Sequence, residues 1–159
     1  MARVPRFRPA AVWRRFALAL LAWGALQAAG AQVEFRSVAA APAILYDAPS
    51  LSASKLFVAS PAYPVEVVVQ LGKTWTKVRD VAGTFAWIET RLLSEKRTVL
   101  VTAAQAEIRE RGEEGAPVLF RAEKDVVLEL AEPPTTAWIK VRHRDGQVGY
   151  VRLSQIWGI

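Results

Sequence analysis

Residues able to run a reaction are scarce in this sequence of 159 amino acids, which has one histidine and no cysteine. Hydrolysis or group transfer needs a nucleophile with a positioned base. His143 sits in the basic run Arg142-His143-Arg144, and nothing in the sequence marks a partner to orient it, so it reads as a solvated residue at a strand end. The lack of cysteine removes disulfides, thiolate metal sites, a cysteine nucleophile and a lipidated cysteine. Glu113-Glu114 lies in a glycine-flanked loop, but a metal site needs several converging oxygen ligands, and the pair reads as solvated loop charge. No glycine loop of the phosphate-cradling type is present. The sequence therefore implies no catalytic residues, no metal ligands and no cofactor.

Aromatic and basic side chains are the chemistry that remains. Trp75 interleaves with Lys77 and Arg79, and Trp138 with Lys140, Arg142 and Arg144. Such a pattern suits carboxylates, where Lys or Arg pairs with the charge and an aromatic packs the stem. It also suits single-stranded nucleic acid. The net charge of +6 favours that second reading only superficially, because Arg3, Arg6, Arg8, Arg14 and Arg15 precede an apolar run. Without those five the balance is +1. A chain so close to neutral carries no electrostatic argument for a polyanion, and nucleic acid is not an expected partner.

The elements that position these residues are written twice. Residues 75–88, WTKVRDVAGTFAWI, return as 138–151, WIKVRHRDGQVGYV, at one constant interval and without a gap. No full-length window after Gln32 carries a helical period. Short alternating or β-branched runs instead predict strands at 35–38, 43–47, 55–59, 65–71, 74–80 and 84–89, with room for one helical turn at 91–93. The second copy predicts strands at 97–102, 106–109, 118–122, 126–131, 138–143 and 147–153. Asp145-Gly146, matched by Ala82-Gly83, reads as a two-residue hairpin turn.

Alternation then sorts the faces. Thr76 and Val78 share one side and Trp75, Lys77 and Arg79 the other, as do Ile139 and Val141 against Trp138, Lys140 and Arg142. Putting the charges in water sends Ile88 and Val151 inward and Trp87 and Tyr150 outward. A hairpin in this arrangement brings Trp75 near Trp87 and Trp138 near Tyr150. Outward aromatics have two explanations: a ligand platform, or cover from a loop, a terminal turn or the other copy.

Ahead of the repeats, 1–15 is basic without an acidic residue, 16–25 (FALALLAWGA) is apolar, and Ala29-Gly30-Ala31 offers a small-x-small site. This predicts a secretory signal peptide over 1–31, too short in its apolar run for a stable membrane span, and hence export. Two units follow, 32–95 and 96–159, each near the lower size at which a domain folds without help.

These residues resemble the bacterial SH3-like domain family, small β-barrels found in tandem on exported proteins. The likeness is carried by Ala106-Glu107-Ile108-Arg109, Ala48-Pro49-Ser50, the two Trp-x-Lys-Val strands, Gly83 through Ile88 and Gly146 through Val151. Tyr46 stands in place of an arginine, Ala86 in place of a second glycine, and Arg111-Gly112-Glu113 in place of Gly-Pro-Ser. The resemblance implies an all-β chain of two tandem SH3-like barrels in the periplasm or cell envelope, binding a cell-wall peptide or an envelope protein. Tyr46, Trp75, Trp87, Trp138 and Tyr150 are the expected ligand-binding residues. The alternative is a structural role, with the aromatic faces packing barrels or subunits together and no small ligand.

Overall fold

Strands form wherever the alternating runs predict them. The computed structural model describes residues 33–39, 41–134 and 137–159, and the signal peptide read at 1–31 lies outside these. The first copy contains β1 (Glu34–Val38), β2 (Ala43–Tyr46), β3 (Lys55–Ala59), β4 (Pro64–Leu71), β5 (Trp75–Arg79), β6 (Phe85–Glu89) and β7 (Leu93–Ser94). The second contains β8 (Thr98–Val101), β9 (Gln105–Arg109), β10 (Val118–Glu123), β11 (Val127–Leu130), β12 (Trp138–Arg142), β13 (Val148–Arg152) and β14 (Ile156–Trp157). Each copy is one antiparallel sheet, ordered β3-β2-β6-β5-β4-β1-β7 and β10-β9-β13-β12-β11-β8-β14. The order is the same in both. The helical turn expected at 91–93 is a 3-10 turn at Thr90–Leu92, with its twin at Leu153–Gln155. Strands β7 and β14 escape sequence reading because two residues are too few to show a period. Among the described residues, no helix is long and apolar enough to cross a membrane.

The turn between β5 and β6 differs from the two-residue expectation. Gly83 N–H donates to Asp80 O and Asp80 N–H to Thr84 O, while Gly146 and His143 repeat the pattern in the second copy. Three residues therefore connect the strands, and the last is a glycine at φ +85° or +96°. A left-handed residue after a tight turn is the common way to close such a hairpin, and only glycine adopts it freely.

Each sheet encloses its own core. Val38, Ala43, Leu45, Val65, Val78, Ala86 and Ile88 fill the first, and Val101, Ala106, Ile108, Leu128, Ile139, Val141 and Val151 the second. Full burial of one such Leu, Ile or Val is worth about 1.5–3 kcal/mol. Where the copies differ inside, the differences compensate. Thr76 is buried with its Oγ1 2.9 Å from Thr90 Oγ1, and Ile139 and Leu153 occupy the same two places in the second copy. Leu45 and Ala86 of the first core hold the repeat positions of Ile108 and Gly149 in the second. A Cβ on Gly149 would stand 2.5 Å from Ile108 Cγ2 and 2.8 Å from Arg109 O. The branched isoleucine thus fills the space beside Gly149 that a methyl would need.

The two barrels belong to one compact unit, 33–159. Phe35 and Trp157 meet edge to face at 5.1 Å, and Arg97 lies over the Phe35 ring at 5.6 Å while donating to Gly158 O at 3.0 Å. Burial pushes the Arg97 guanidinium below its ordinary value, with Glu34 acting in the opposite sense. Thr98, 3% exposed, donates its hydroxyl to Ala62 O at 2.7 Å, and Ser37 donates to Lys96 O at 2.7 Å. Ala62 holds φ +65°, as its counterpart Asp125 holds φ +67°, which aims each N–H at the strand that opens its barrel, at Val38 O and Val101 O.

Two stability predictions arise from these contacts. Thr98→Val leaves the partly buried Ala62 O without its donor and should lower unfolding free energy by about 1 kcal/mol in urea. Gly149→Ala should cost about 1–3 kcal/mol by overpacking, with part recovered in Gly149→Ala/Ile108→Leu. A native-like midpoint for either single variant contradicts the contact it tests.

Candidate functional site

The outer face of the β4–β5–β6 hairpins is set by register. Leu71 faces Trp75, Val69 faces Lys77, Lys77 faces Trp87, Arg79 faces Phe85, and Trp75 faces Glu89. Inward burial of Thr76, Val78, Ala86 and Ile88 leaves this set outside, as the alternation predicts. The expected approach of Trp75 to Trp87 is not the contact that forms. Trp75 packs edge to face on Tyr46, with centroids 5.6 Å apart, and Lys77 Nζ lies 5.9 Å from the Trp87 ring and 5.4 Å from Phe85. The cross-strand lysine takes the neighbouring place because directly opposite residues stand closer than diagonal ones. Tyr46 is only 6% exposed, so it supports Trp75 from beneath and is not itself a contact surface. Trp75 and Trp87 are half-buried, and Phe85 is 52% exposed. Phe85 was not singled out from the sequence, although its place two residues before Trp87 puts it on the same face.

The second copy has the same scaffold but a closed surface. Lys140 Nζ lies 5.9 Å from the Tyr150 ring and 2.5 Å from Glu132 Oε1, a bond that raises the lysine's affinity for its proton. The Arg152 guanidinium covers Trp138 at 4.9 Å and pairs with Glu114. The loop after β9 lies against the same ring: a Cβ on Gly112 would stand 2.9 Å from Trp138 Cβ and 3.5 Å from Tyr150 Cδ1. The Arg111-Gly112-Glu113 departure thus places bare backbone on the tryptophan. Glu113 and Glu114 are both exposed, with Arg111 paired to the first and Arg152 to the second. Trp138 and Tyr150 both lie against the Gly112 backbone, and a cation stands over each ring.

In the first copy, Val69 stands where Glu132 closes the second, Leu51 where Glu114 does, and Glu89 where Arg152 does. Glu89 pairs with Arg91, and Val69 and Leu51 are 49% and 64% exposed. Among the described residues Lys77 has no carboxylate within ion-pair distance. An aromatic and aliphatic surface with one unneutralised cation at its centre can pack an apolar stem and hold a carboxylate.

His143 differs from its sequence reading. Its ring is half-buried, packs on Phe120 at 5.7 Å, and holds Nδ1 3.0 Å from Asp145 Oδ1 without the alignment of a hydrogen bond. Asp145 is held below the ordinary carboxylate range, first by the Gln147 N–H and then by His143. Its folded value being the lower one, Asp145 supports the turn above the ordinary carboxylate range and ceases to as pH falls through the folded value. Among the described residues, no three His, Asp or Glu side chains gather as a metal site.

Gly112→Ala should lift the loop from Trp138. The expected readout is a shifted Trp138 indole N–H cross-peak with the Trp75 cross-peak unchanged, and an unmoved Trp138 signal contradicts the packing described.

Comparison with known proteins sets this geometry in a family. Among solved structures the chain is similar to NlpC2 from Trichomonas vaginalis, with 11% identity and a TM-score of 0.36 over 79% of this chain and 48% of that one. NlpC1 from the same organism gives 12% and 0.36 over 78% and 45%. The chain thus spans about half the length of these structures. No curated protein matches it. The family model of the bacterial SH3 domain matches residues 39–95 and again 102–158, each match starting just after the opening strand, β1 or β8. The chain belongs to the bacterial SH3 domain family, with the domain present twice in tandem.

Proposed function

We propose that the chain is an exported, non-catalytic binding module of the cell envelope, built of units 32–95 and 96–159, whose first barrel captures a carboxylate-bearing peptide. The peptide is a cell-wall stem peptide or an acidic segment of a partner protein. Trp75, Trp87 and Phe85 supply contact area, Lys77 meets the carboxylate, and Tyr46 stiffens Trp75 from below. Trp138 and Tyr150 are the corresponding residues of the second barrel, where Arg152, Glu114, Glu132 and the Gly112 backbone already occupy the rings.

One observation carries this reading: the same aromatic face is neutralised by its own carboxylates in one copy and left with an unpaired lysine in the other. A structural role for these faces has less support. The junction between barrels is filled by Phe35, Trp157, Arg97 and Thr98, which leaves Trp75 and Trp87 uncommitted.

Co-sedimentation of the protein with purified sacculi, together with tryptophan fluorescence on adding wall peptides, tests the proposal. Trp87→Ala and Lys77→Gln should each weaken binding about tenfold or more, and Tyr150→Ala by less than about threefold. Equal losses from Trp87→Ala and Tyr150→Ala overturn the assignment to the first barrel. Neither sedimentation nor a fluorescence change removes the wall peptide, and the acidic-segment version then stands or falls on titration with a glutamate-rich peptide.

A further inference from the structure

The two copies share a carboxylate–guanidinium register, but only one uses it. Glu66 faces Arg79 across β4 and β5, and Arg79 Nε donates to Glu66 Oε2 at 2.8 Å. Glu129 faces Arg142 across β11 and β12 in the same way. Its carboxylate is instead taken by Lys96, from the segment joining the two sheets, at 2.7 Å. Arg142 is exposed and has no carboxylate within ion-pair distance among the described residues.

The next positions reinforce the difference. Asp80 and Val81 follow Arg79, whereas His143 and Arg144 follow Arg142. Arg144 is likewise exposed without an acidic partner among the described residues, and Asp145 is engaged by Gln147 and His143. Lys96 is balanced by Glu129, which leaves two uncompensated guanidinium groups. Arg142, His143 and Arg144 line one side of a cavity of about 330 Å³ whose other walls include Ala62, Thr98 and Lys96. Ala62 belongs to the first barrel and the rest to the linker and the second, so the cavity lies at the junction.

We propose that this junctional cavity is an oxyanion site for a phosphate-class dianion, held by Arg142 and Arg144 with His143 beside them. Guanidinium groups present paired N–H donors that match phosphate oxygens two at a time. Two uncompensated positive charges suit a phosphate monoester, which carries roughly −1.5 to −2 at neutral pH, better than one carboxylate, which leaves a guanidinium unmatched. Glu129 lines the same cavity and would repel an anion. The Lys96 contact neutralises it, and this gives the diverted ion pair a purpose.

The test uses the full chain labelled with nitrogen-15, titrated at fixed pH with inorganic phosphate and with glycerol 3-phosphate, and with sodium acetate and sodium chloride at matched ionic strength. Saturable shifts of the His143 ring and the Arg142 and Arg144 Nε–H signals are expected with a phosphate compound and not with acetate or chloride. A response to the ester alone identifies an esterified phosphate as the source, and a response to both identifies the free ion. Arg142→Gln/Arg144→Gln should weaken binding at least tenfold with the remaining spectrum native, and Arg144→Gln alone serves if the double variant misfolds. Shifts that follow ionic strength alone, acetate binding as well as phosphate, or unchanged affinity in a natively folded variant each overturn the proposal.

Discussion

Burying Val78 and Ile88, with their counterparts Val141 and Val151, is the constraint on which both barrels depend. A strand alternates its faces, so committing these residues inward commits Trp75, Lys77 and Trp87 outward, together with Trp138, Lys140 and Tyr150. A slip of one residue would bury two lysines and expose the core. The surface is therefore a by-product of the core at the level of placement. At the level of chemistry it is free to vary.

The junction answers a problem of size. Each copy has a small, mostly aliphatic core, marginal for a unit of this length. Packing Phe35 on Trp157 and inserting Thr98 toward Ala62 O extends the buried region without enlarging either core. Arg97 seals the same seam with its stem and one hydrogen bond, its Nε buried without a partner among the described residues. A guanidinium is suited to this because it is weakly hydrated and stacks on an aromatic ring.

Most of the architecture was legible because it is local. Alternation located twelve of the fourteen strands among the described residues, and the exact repeat of Trp-x-Lys-Val disclosed the tandem units. The inward and outward sets followed from period two. What stayed hidden depends on neighbours distant in sequence or on side-chain reach. Burial of Tyr46 requires knowing that β2 pairs with β6 and that Trp75 lies over it. The cover on Trp138 comes from Arg152 and Gly112, and no sequence period reports which long side chain folds across which ring. The place of His143 at the junction depends on how two barrels meet, although its charge contrast with Asp80 was visible in the repeat. The aromatic junction pair, Phe35 and Trp157, carried no repeat signal because neither residue has an aromatic counterpart in the other copy.

Comparison of the copies separates structural change from functional change. Inside the barrels the substitutions come in matched sets: the Thr76–Thr90 hydroxyl pair against Ile139 and Leu153, and Leu45 with Ala86 against Ile108 with Gly149. The first set keeps its buried hydroxyls paired, and in the second Ile108 packs directly against the bare Gly149, as a close-packed interior requires. On the outer face the substitutions are not matched. Val69 for Glu132 and Leu51 for Glu114 take the carboxylates away from Lys77 and Trp75, Glu89 in place of Arg152 is held by Arg91, and Asp80-Val81 against His143-Arg144 reverses charge at the turn. Stability gives no reason for these changes, since exposed ion pairs contribute about 0–1 kcal/mol at most. Differences that the fold neither needs nor compensates are the ones that change what a surface can bind. They fall at two places, the open aromatic face of the first barrel and the arginine-lined junction with the second.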